Sequence, residues 1–358
     1  MRGEVTAVVG AQYGSEGKGA VVQSLAKDYN VHVRTGGPNA GHTIYYGGKE
    51  YKMQVIPCGW INLDAKLVIG PGALVDVGQL EKEIKWILPH DPCIRDRIFI
   101  DARAGFLDPR FMEEEGGING EIHQRIGSTG KGVGAAREAR MRRDTNNFQL
   151  MNSADLSANV KKMLHWDTSK LLNGFIMDGD WTLLEGAQGA GLSLIHGPWP
   201  YVTSSDTNAS QMLADCGLAP SMMTSCVLVA RTFPIRVAGN SGPLKEEVNW
   251  HHMSERIGKN VIEKTTVTNK VRRIGKWDSD LFIKAVELNR PTTVAITFMD
   301  YLYPKCEGMT DYDKLPMEAI EFVEFVENLA APARVRFIGT GFSNEKKSIS
   351  IIDRGGFA

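Results

Sequence analysis

The run Gly10-Ala11-Gln12-Tyr13-Gly14-Ser15-Glu16-Gly17-Lys18-Gly19 follows directly on the apolar stretch Val5–Val9 and leads into an amphipathic stretch at about Ala20–Tyr29. A glycine-rich turn between strand and helix points backbone N–H groups at an anion. A lysine there adds charge, so the chemistry these residues suit is phosphate binding. The spacing departs from the usual phosphate loop, because six residues separate Gly10 from Gly17-Lys18 and Gly19 stands where a Ser or Thr would ligate magnesium. Any magnesium ligand must come from elsewhere. The plainer reading of the same residues is a turn that only joins strand to helix.

Further polar glycine loops follow at Gly37-Pro38-Asn39-Ala40-Gly41-His42-Thr43, Ile126-Gly127-Ser128-Thr129-Gly130-Lys131-Gly132-Val133-Gly134, Glu185-Gly186-Ala187-Gln188-Gly189 and Pro200-Tyr201-Val202-Thr203-Ser204. Their Asn, Thr and Gln donors are more than one phosphate needs and suit a second nucleotide. His42 can donate a proton or hydrogen bond near neutral pH. The segment Thr265–Gly275 carries Lys270, Arg272 and Arg273, and guanidinium pairs suit carboxylates. Glu247 and His251 have helical spacing for a metal pair, but no further ligands accompany them.

Placing these loops requires strands. Short β-branched runs at Val5–Val9, Val31–Arg34, Leu67–Ile69, Ile98–Ile100, Trp181–Leu184, Val227–Ala230, Thr293–Thr297 and Val335–Ile338 alternate with helical readings. Those helices fall at about Ala20–Tyr29, Gly78–Leu88, Ser153–Leu172, Asp278–Asn289 and Pro316–Leu329. The alternation predicts an α/β fold with a large, mostly parallel sheet flanked by helices. Tyr45–Tyr51, with Gly47-Gly48 at its centre, predicts an inserted hairpin. No repeat or Pro/Ser-rich linker divides the chain, so residues 1–358 are expected to form one domain.

Composition narrows the class. The 358 residues carry 41 Lys+Arg against 42 Asp+Glu, a net −1 that argues against a nucleic-acid coat or a membrane-surface protein. The longest apolar runs fall far short of a membrane span. Five widely spaced cysteines without a CxxC pair suggest free thiols in a reducing compartment, and a cytoplasmic setting is expected.

Taken in order, the five glycine-containing blocks resemble the motif set of the adenylosuccinate synthetases, across most of the chain. The resemblance implies a P-loop-NTPase-like fold, a homodimer, and a ligase that couples nucleoside-triphosphate cleavage to joining L-aspartate onto carbon 6 of a purine monophosphate, by way of a 6-phosphoryl intermediate. It further implies Ser15, Lys18, His42 and Gln188 as catalytic positions. Lys18 would offset charge on the transferred phosphoryl group and His42 would act as general acid. For the purine monophosphate it carries over Ser15, Asn39, Ser128, Thr129, Gln188, Thr203 and Val237, with Arg143 reaching the 5′-phosphate from the neighbouring subunit. For the triphosphate it carries over Gly14, Glu16, Gly17, Lys18, Gly19, Gly41, His42, Thr43, Asp300 and Gly341. Thr268, Lys270 and Arg272 fall on the aspartate loop, and Ser15 and Gly41 at the Mg2+ site.

Ser15 departs from the pattern, standing where the family keeps an aspartate that removes the purine N1 proton. A lone hydroxyl stays protonated at neutral pH. With the compact length, this resembles the bacteriophage branch, which acts on dGMP to give N6-succino-2-amino-2′-deoxyadenylate. A smaller neutral side chain would leave room beside carbon 2 for the exocyclic amine. Glu16 and a metal-bound water are the candidates for N1 proton removal. The loop Val237–Pro243, about two residues longer than in ordinary members, either reads the absent 2′-hydroxyl or is a surface insertion. Asp300 keeps the aspartate that binds guanine of GTP in the family, but Phe298 replaces the lysine of that motif and Gly339-Thr340-Gly341-Phe342 lacks its proline, which loosens the case for GTP; resemblance to the bacteriophage branch then implies ATP or dATP, with GTP as the alternative donor. The alternatives are an ordinary synthetase acting on IMP with GTP, and a P-loop nucleotide-binding switch.

Overall fold

A computed structural model describes residues 2–265, 270–343, 345 and 347–355. Its centre is a ten-stranded sheet. From one edge the order is Ser348–Asp353, Arg334–Ser343, Thr293–Thr297, Ser225–Arg231, Val5–Gly10, Thr182–Glu185, Val31–Arg34, Lys66–Ile69, Ile98–Asp101 and Leu164-His165. Every pairing is parallel except the outermost one between Arg334–Ser343 and Ser348–Asp353.

A parallel sheet covered on both faces must be apolar on both sides of each strand, and Val5–Gly10 is buried at all six positions. The period-two pleat then divides its side chains. Val5, Ala7 and Val9 enter one core with Phe282, Val323 and Val326, whereas Val8 enters the other with Val21, Leu67 and Trp60. The helices Lys18–Leu25, Val77–Ile87, Ser279–Asn289 and Met317–Ala330 agree with the periodicity of the sequence to within a few residues. The predicted hairpin is present as His42–Tyr46 paired with Lys49–Met53, with both turn glycines at positive φ.

One expected helix is not continuous. Residues 153–172 form a helix at Ala158–Met163, an edge strand at Leu164-His165 and a second helix from Thr168 to Met177. The interruption comes from two N-caps inside the apparent period: Ser157 accepts from the Val160 N–H at 3.3 Å and Asp167 from the Lys170 N–H at 3.0 Å. Leu164 meanwhile pairs with Ile100 at the sheet edge. Two smaller cores support the site. Leu74, Leu107, Phe111, Val133 and Ala136 lie under the Ser128–Gly134 loop, and Phe233, Ile235, Trp250, Met253 and Ile274 lie under the segment that ends in Arg272 and Arg273.

Candidate active site

The carboxyl ends of the parallel strands converge on one edge of the sheet, where ligands of open α/β folds bind. Gly10, Arg34, Glu185, Arg231 and Thr297 are the last residues of five of these strands. In the glycine loop between Gly10 and Lys18, the Glu16 carboxylate is fully buried. It accepts from the N–H groups of Gln12 (2.9 Å) and Gly14 (2.8 Å) and pairs with Lys18 Nζ at 2.7 Å. Gly10 and Gly189 enclose it, since a Cβ at either would lie within 2.6 Å of its oxygens. Glu16 therefore organises the loop and restrains Lys18. The Glu16 carboxylate, engaged by these three donors inside the loop, is not among the residues that line the neighbouring cleft.

The loop is also fixed from outside. Gln12 and Arg231 exchange two hydrogen bonds, 2.9 and 3.1 Å, and Thr297 Oγ1 donates to the Glu16 carbonyl at 2.6 Å. Gly19 packs against Thr43, where a Cβ would come within 2.5 Å of the Thr43 carbonyl oxygen. Gly17 adopts φ 81° beside Phe298, which itself lies at φ 58°. The expected triphosphate positions Gly14 to Gly19, Thr43 and the Asp300 region thus cluster around one loop.

His42 opens the hairpin and is buried. Its Nδ1 lies 2.5 Å from Glu185 Oε1, the same oxygen that accepts from Arg34 at 2.8 Å, while Glu185 Oε2 accepts from the Cys58 N–H at 2.6 Å. Arg34 also donates to the Ala40 carbonyl at 2.7 Å and so fixes the Asn39–Gly41 loop. Burial and then the Arg34 charge push the His42 imidazole well below its ordinary pKa, against the pull of Glu185. Burial would raise the Glu185 carboxyl, but Arg34, His42 and the Cys58 N–H outweigh it and hold it ionised. His42 is therefore neutral, with its Nδ1–H donating to the ionised Glu185 carboxylate, and its buried Nε2 has no partner among the described residues. A lone pair on Nε2 becomes a proton donor only after the ring gains a proton, which an arriving phosphate anion favours.

Next to this edge lies a cleft of about 890 Å³. Ser15, Asn39, Ser128, Thr129, Gln188, Thr203 and Val237 all line it, together with Gly14, Gly41, Lys270 and Arg272. Gln188, at φ 63°, sets its side-chain carbonyl against Gly14, where a Cβ would approach within 2.7 Å. Arg272 donates to Ser15 Oγ, joining the glycine loop to the segment read as the aspartate loop. Lys270 and Arg272 thus reach the same cleft, and Thr268 lies outside the described residues. Arg143 does not reach it: the residue caps the helix Val133–Arg142 at φ 58° with an exposed side chain.

Asp300 and Gly341, both read as triphosphate contacts, lie against each other. Asp300 Oδ1 is buried without a partner among the described residues, and burial raises its carboxyl to about 6. Gly341, at φ 97°, lies so close that a Cβ would come within 2.6 Å of Asp300 Oδ2. Phe298 faces Arg231, whose guanidinium lies 3.8 Å from the ring centre.

Several expectations need correction or addition. Glu247 and His251 form no metal pair, since Glu247 binds Arg273 at 2.8 and 2.5 Å and the exposed His251 pairs with Glu255. The loop 237–243 is no free surface insertion: Ser241 is buried beneath Gly127, and Asn240 donates to the Arg125 carbonyl. The sequence reading left Arg34, Arg231 and Glu115 without roles. Glu115 accepts from the N–H groups of Gly132, Gly134 and Ala135 and so holds the second glycine loop. Glu185 opens the loop Glu185–Gly189, and a charge ending the buried run Thr182–Leu184 is the signal that could have marked it. The buried grouping of His42, Cys58 and Glu185 has ligand types for a metal, but both Glu185 oxygens are already engaged and burial keeps the Cys58 thiol protonated. Among the described residues all five cysteines are free, and no helix is long and apolar enough to cross a membrane.

Comparison with known proteins places this geometry. The family model described as Adenylosuccinate synthetase matches residues 7–166 and 152–305. The adenylosuccinate synthetase of Methanococcus vannielii is 37% identical over 341 residues, covering 94% of this chain and 96% of the relative. That of Methanocaldococcus jannaschii is 36% identical over 341 residues, with 94% of each chain covered. Among solved structures, the fully ligated adenylosuccinate synthetase of Plasmodium falciparum shares the fold, with TM-score 0.84, 21% identity, and 99% of this chain and 100% of that chain covered. The cyanophage S-2L succinoaminodeoxyadenylate synthetase, bound to dGMP and to dATP as an energy donor, superposes with TM-score 0.79 at 26% identity, covering 95% of this chain and 93% of that one. The chain belongs to the adenylosuccinate synthetase family, ligases that form a C–N bond to aspartate with consumption of a nucleoside triphosphate.

Proposed function

We propose that this enzyme joins L-aspartate to carbon 6 of dGMP, with ATP or dATP as phosphoryl donor, giving N6-succino-2-amino-2′-deoxyadenylate, the precursor of 2-aminoadenine for phage DNA. The observation that carries the reading is Ser15. At the cleft wall, where the ordinary family member presents a carboxylate, this chain presents a small hydroxyl that accepts from Arg272. That leaves volume and removes negative charge beside carbon 2 of a bound purine. The likeness to a cyanophage enzyme holding dGMP and dATP supports the same assignment. Phe298 against Arg231 supports an adenine donor, since a ring offers stacking where the family's lysine offers charge.

In this reading Asn39, Ser128, Thr129, Gln188, Thr203 and Val237 bind the purine monophosphate. Arg143, exposed and not lining its own cleft, serves the neighbouring subunit of a homodimer. Lys18, released from Glu16, meets the transferred phosphoryl group. His42 Nε2 faces the reacting region while Glu185 and Arg34 fix the ring. Arg272 passes from Ser15 to an aspartate carboxylate. Ser15 Oγ and the Gly41 carbonyl are neutral oxygens, which suit a magnesium ion carried mainly by the substrate phosphates; when bound, it would neutralise phosphoryl charge.

The second reading, IMP with GTP, draws on the archaeal relatives at 36–38% identity, all adenylosuccinate synthetases. It also draws on Asp300, whose unpartnered oxygen could accept from guanine. Purified protein given aspartate, one purine monophosphate and one triphosphate separates the two by product mass. A succinylated product from dGMP supports the proposal, and turnover of IMP alone rejects it.

A further inference from the structure

The cleft wall near the Ser15–Arg272 contact carries a histidine that none of the motifs uses. His123 lies on the helix Glu121–Ile126 and lines the cleft with Lys270 and Arg272. Its Nδ1 bonds the Ser128 carbonyl, and its Nε2 lies 3.0 Å from Lys270 Nζ. A carbonyl only accepts, so Nδ1 holds the proton. An ammonium only donates, so Nε2 offers its lone pair. The two contacts together require one neutral tautomer, and one imidazole bridges the loop read as binding the purine monophosphate to the loop read as binding aspartate.

The backbone of Lys270 is fixed separately. The Thr265 N–H donates to the Lys270 carbonyl at 2.8 Å, the Lys270 N–H to Thr265 Oγ1 at 3.0 Å, and Lys264 bridges to Val271. Among the described residues, no carboxylate lies within ion-pair distance of Lys270. A carboxylate in place of His123 would anchor the ammonium and neutralise it. A neutral imidazole anchors it and leaves the charge for a substrate.

We infer that His123 is a positioning residue for L-aspartate, holding the Lys270 ammonium so that it and Arg272 present two fixed cations to the two carboxylates. Without that anchor, the flexible lysine side chain loses its rotamer freedom only when substrate binds, which weakens binding. The inference rests on reading 265–272 as the aspartate loop and holds for either purine.

The test is steady-state kinetics on the full-length enzyme. His123→Ala should raise KM for L-aspartate about five- to tenfold, the effect falling on that constant rather than on kcat or on KM for the purine. His123→Gln, whose Oε1 can accept from Lys270, should return the constant to within about twofold of wild type. The double variant with Lys270→Ala should be no worse than Lys270→Ala alone. If Lys270→Ala leaves aspartate KM unchanged, the loop assignment fails. A raised aspartate KM in Lys270→Ala with none in His123→Ala overturns the inference alone, as does a His123→Ala defect shared equally by both substrates.

Discussion

Position 15 lines the cleft and bonds Arg272, so in the proposed reading a charge placed there would be felt by both substrates. Ser15→Asp would place a carboxylate against that guanidinium and beside carbon 2 of the base. The ratio of kcat/KM for IMP over dGMP should rise about tenfold or more, measured with each purine separately. Equal loss with both purines would remove position 15 from the discrimination between them. Glu185 acts one step back, as the anion that fixes the His42 tautomer. Glu185→Gln keeps the volume but loses the charge, so kcat should fall about 10²-fold with little change in KM. The candidate residues that line the cleft were legible in the sequence because they sit inside contiguous loops. Glu185, Arg34 and Arg231 were not given roles because their partners lie on other strands: Arg34 and Glu185 are 151 positions apart, and Gln12 and Arg231 219.

At the scale of elements, the strand ends deliver the chemistry and the helices hold the strands. Most strands and the longer helices were readable from period and turn residues. The break within 153–172 was not, because apolar spacing continues through the caps Ser157 and Asp167 and is overridden by pairing at the sheet edge. The antiparallel strand Ser348–Asp353 went unseen for the same reason, since its pairing with Arg334–Ser343 is what defines it. Gly341 shows how tightly one element end is fitted. Gly341→Ala would clash with Asp300 and strain φ 97°, so stability should drop by about 1–3 kcal/mol in denaturant titration, and KM for the triphosphate should rise more than KM for the purine. His32, on the strand Val31–Arg34, donates its Nε2–H to the Ala26 carbonyl at 3.1 Å, and burial lowers its pKa to about 4. Its unfolded value is higher, so the stability it contributes is full above the unfolded pKa and is lost as pH falls toward the folded one. Tm should therefore decline between about pH 7 and pH 4, and a His32→Gln variant that folds should show a flatter decline over that window.

Across the whole molecule, two cores on opposite faces of one sheet fix a single edge on which the glycine loop, the His42–Glu185 pair and the cleft meet. Arg143 is exposed on its own subunit, and the reading in which it serves a partner makes a direct forecast. Mixing inactive Arg143→Ala with inactive His42→Ala should restore activity toward about a quarter of wild type, because half the dimers are hybrid and each has one intact site. No recovery after verified subunit exchange would place Arg143 outside the site. The claim on which the account turns is still the choice of purine. Incubating the wild-type enzyme with L-aspartate, ATP, magnesium and an equimolar mixture of dGMP and IMP, then resolving the products by mass, tests it most directly. The account predicts that the succinylated 2-amino-deoxy product predominates; a mixture dominated by adenylosuccinate would contradict it.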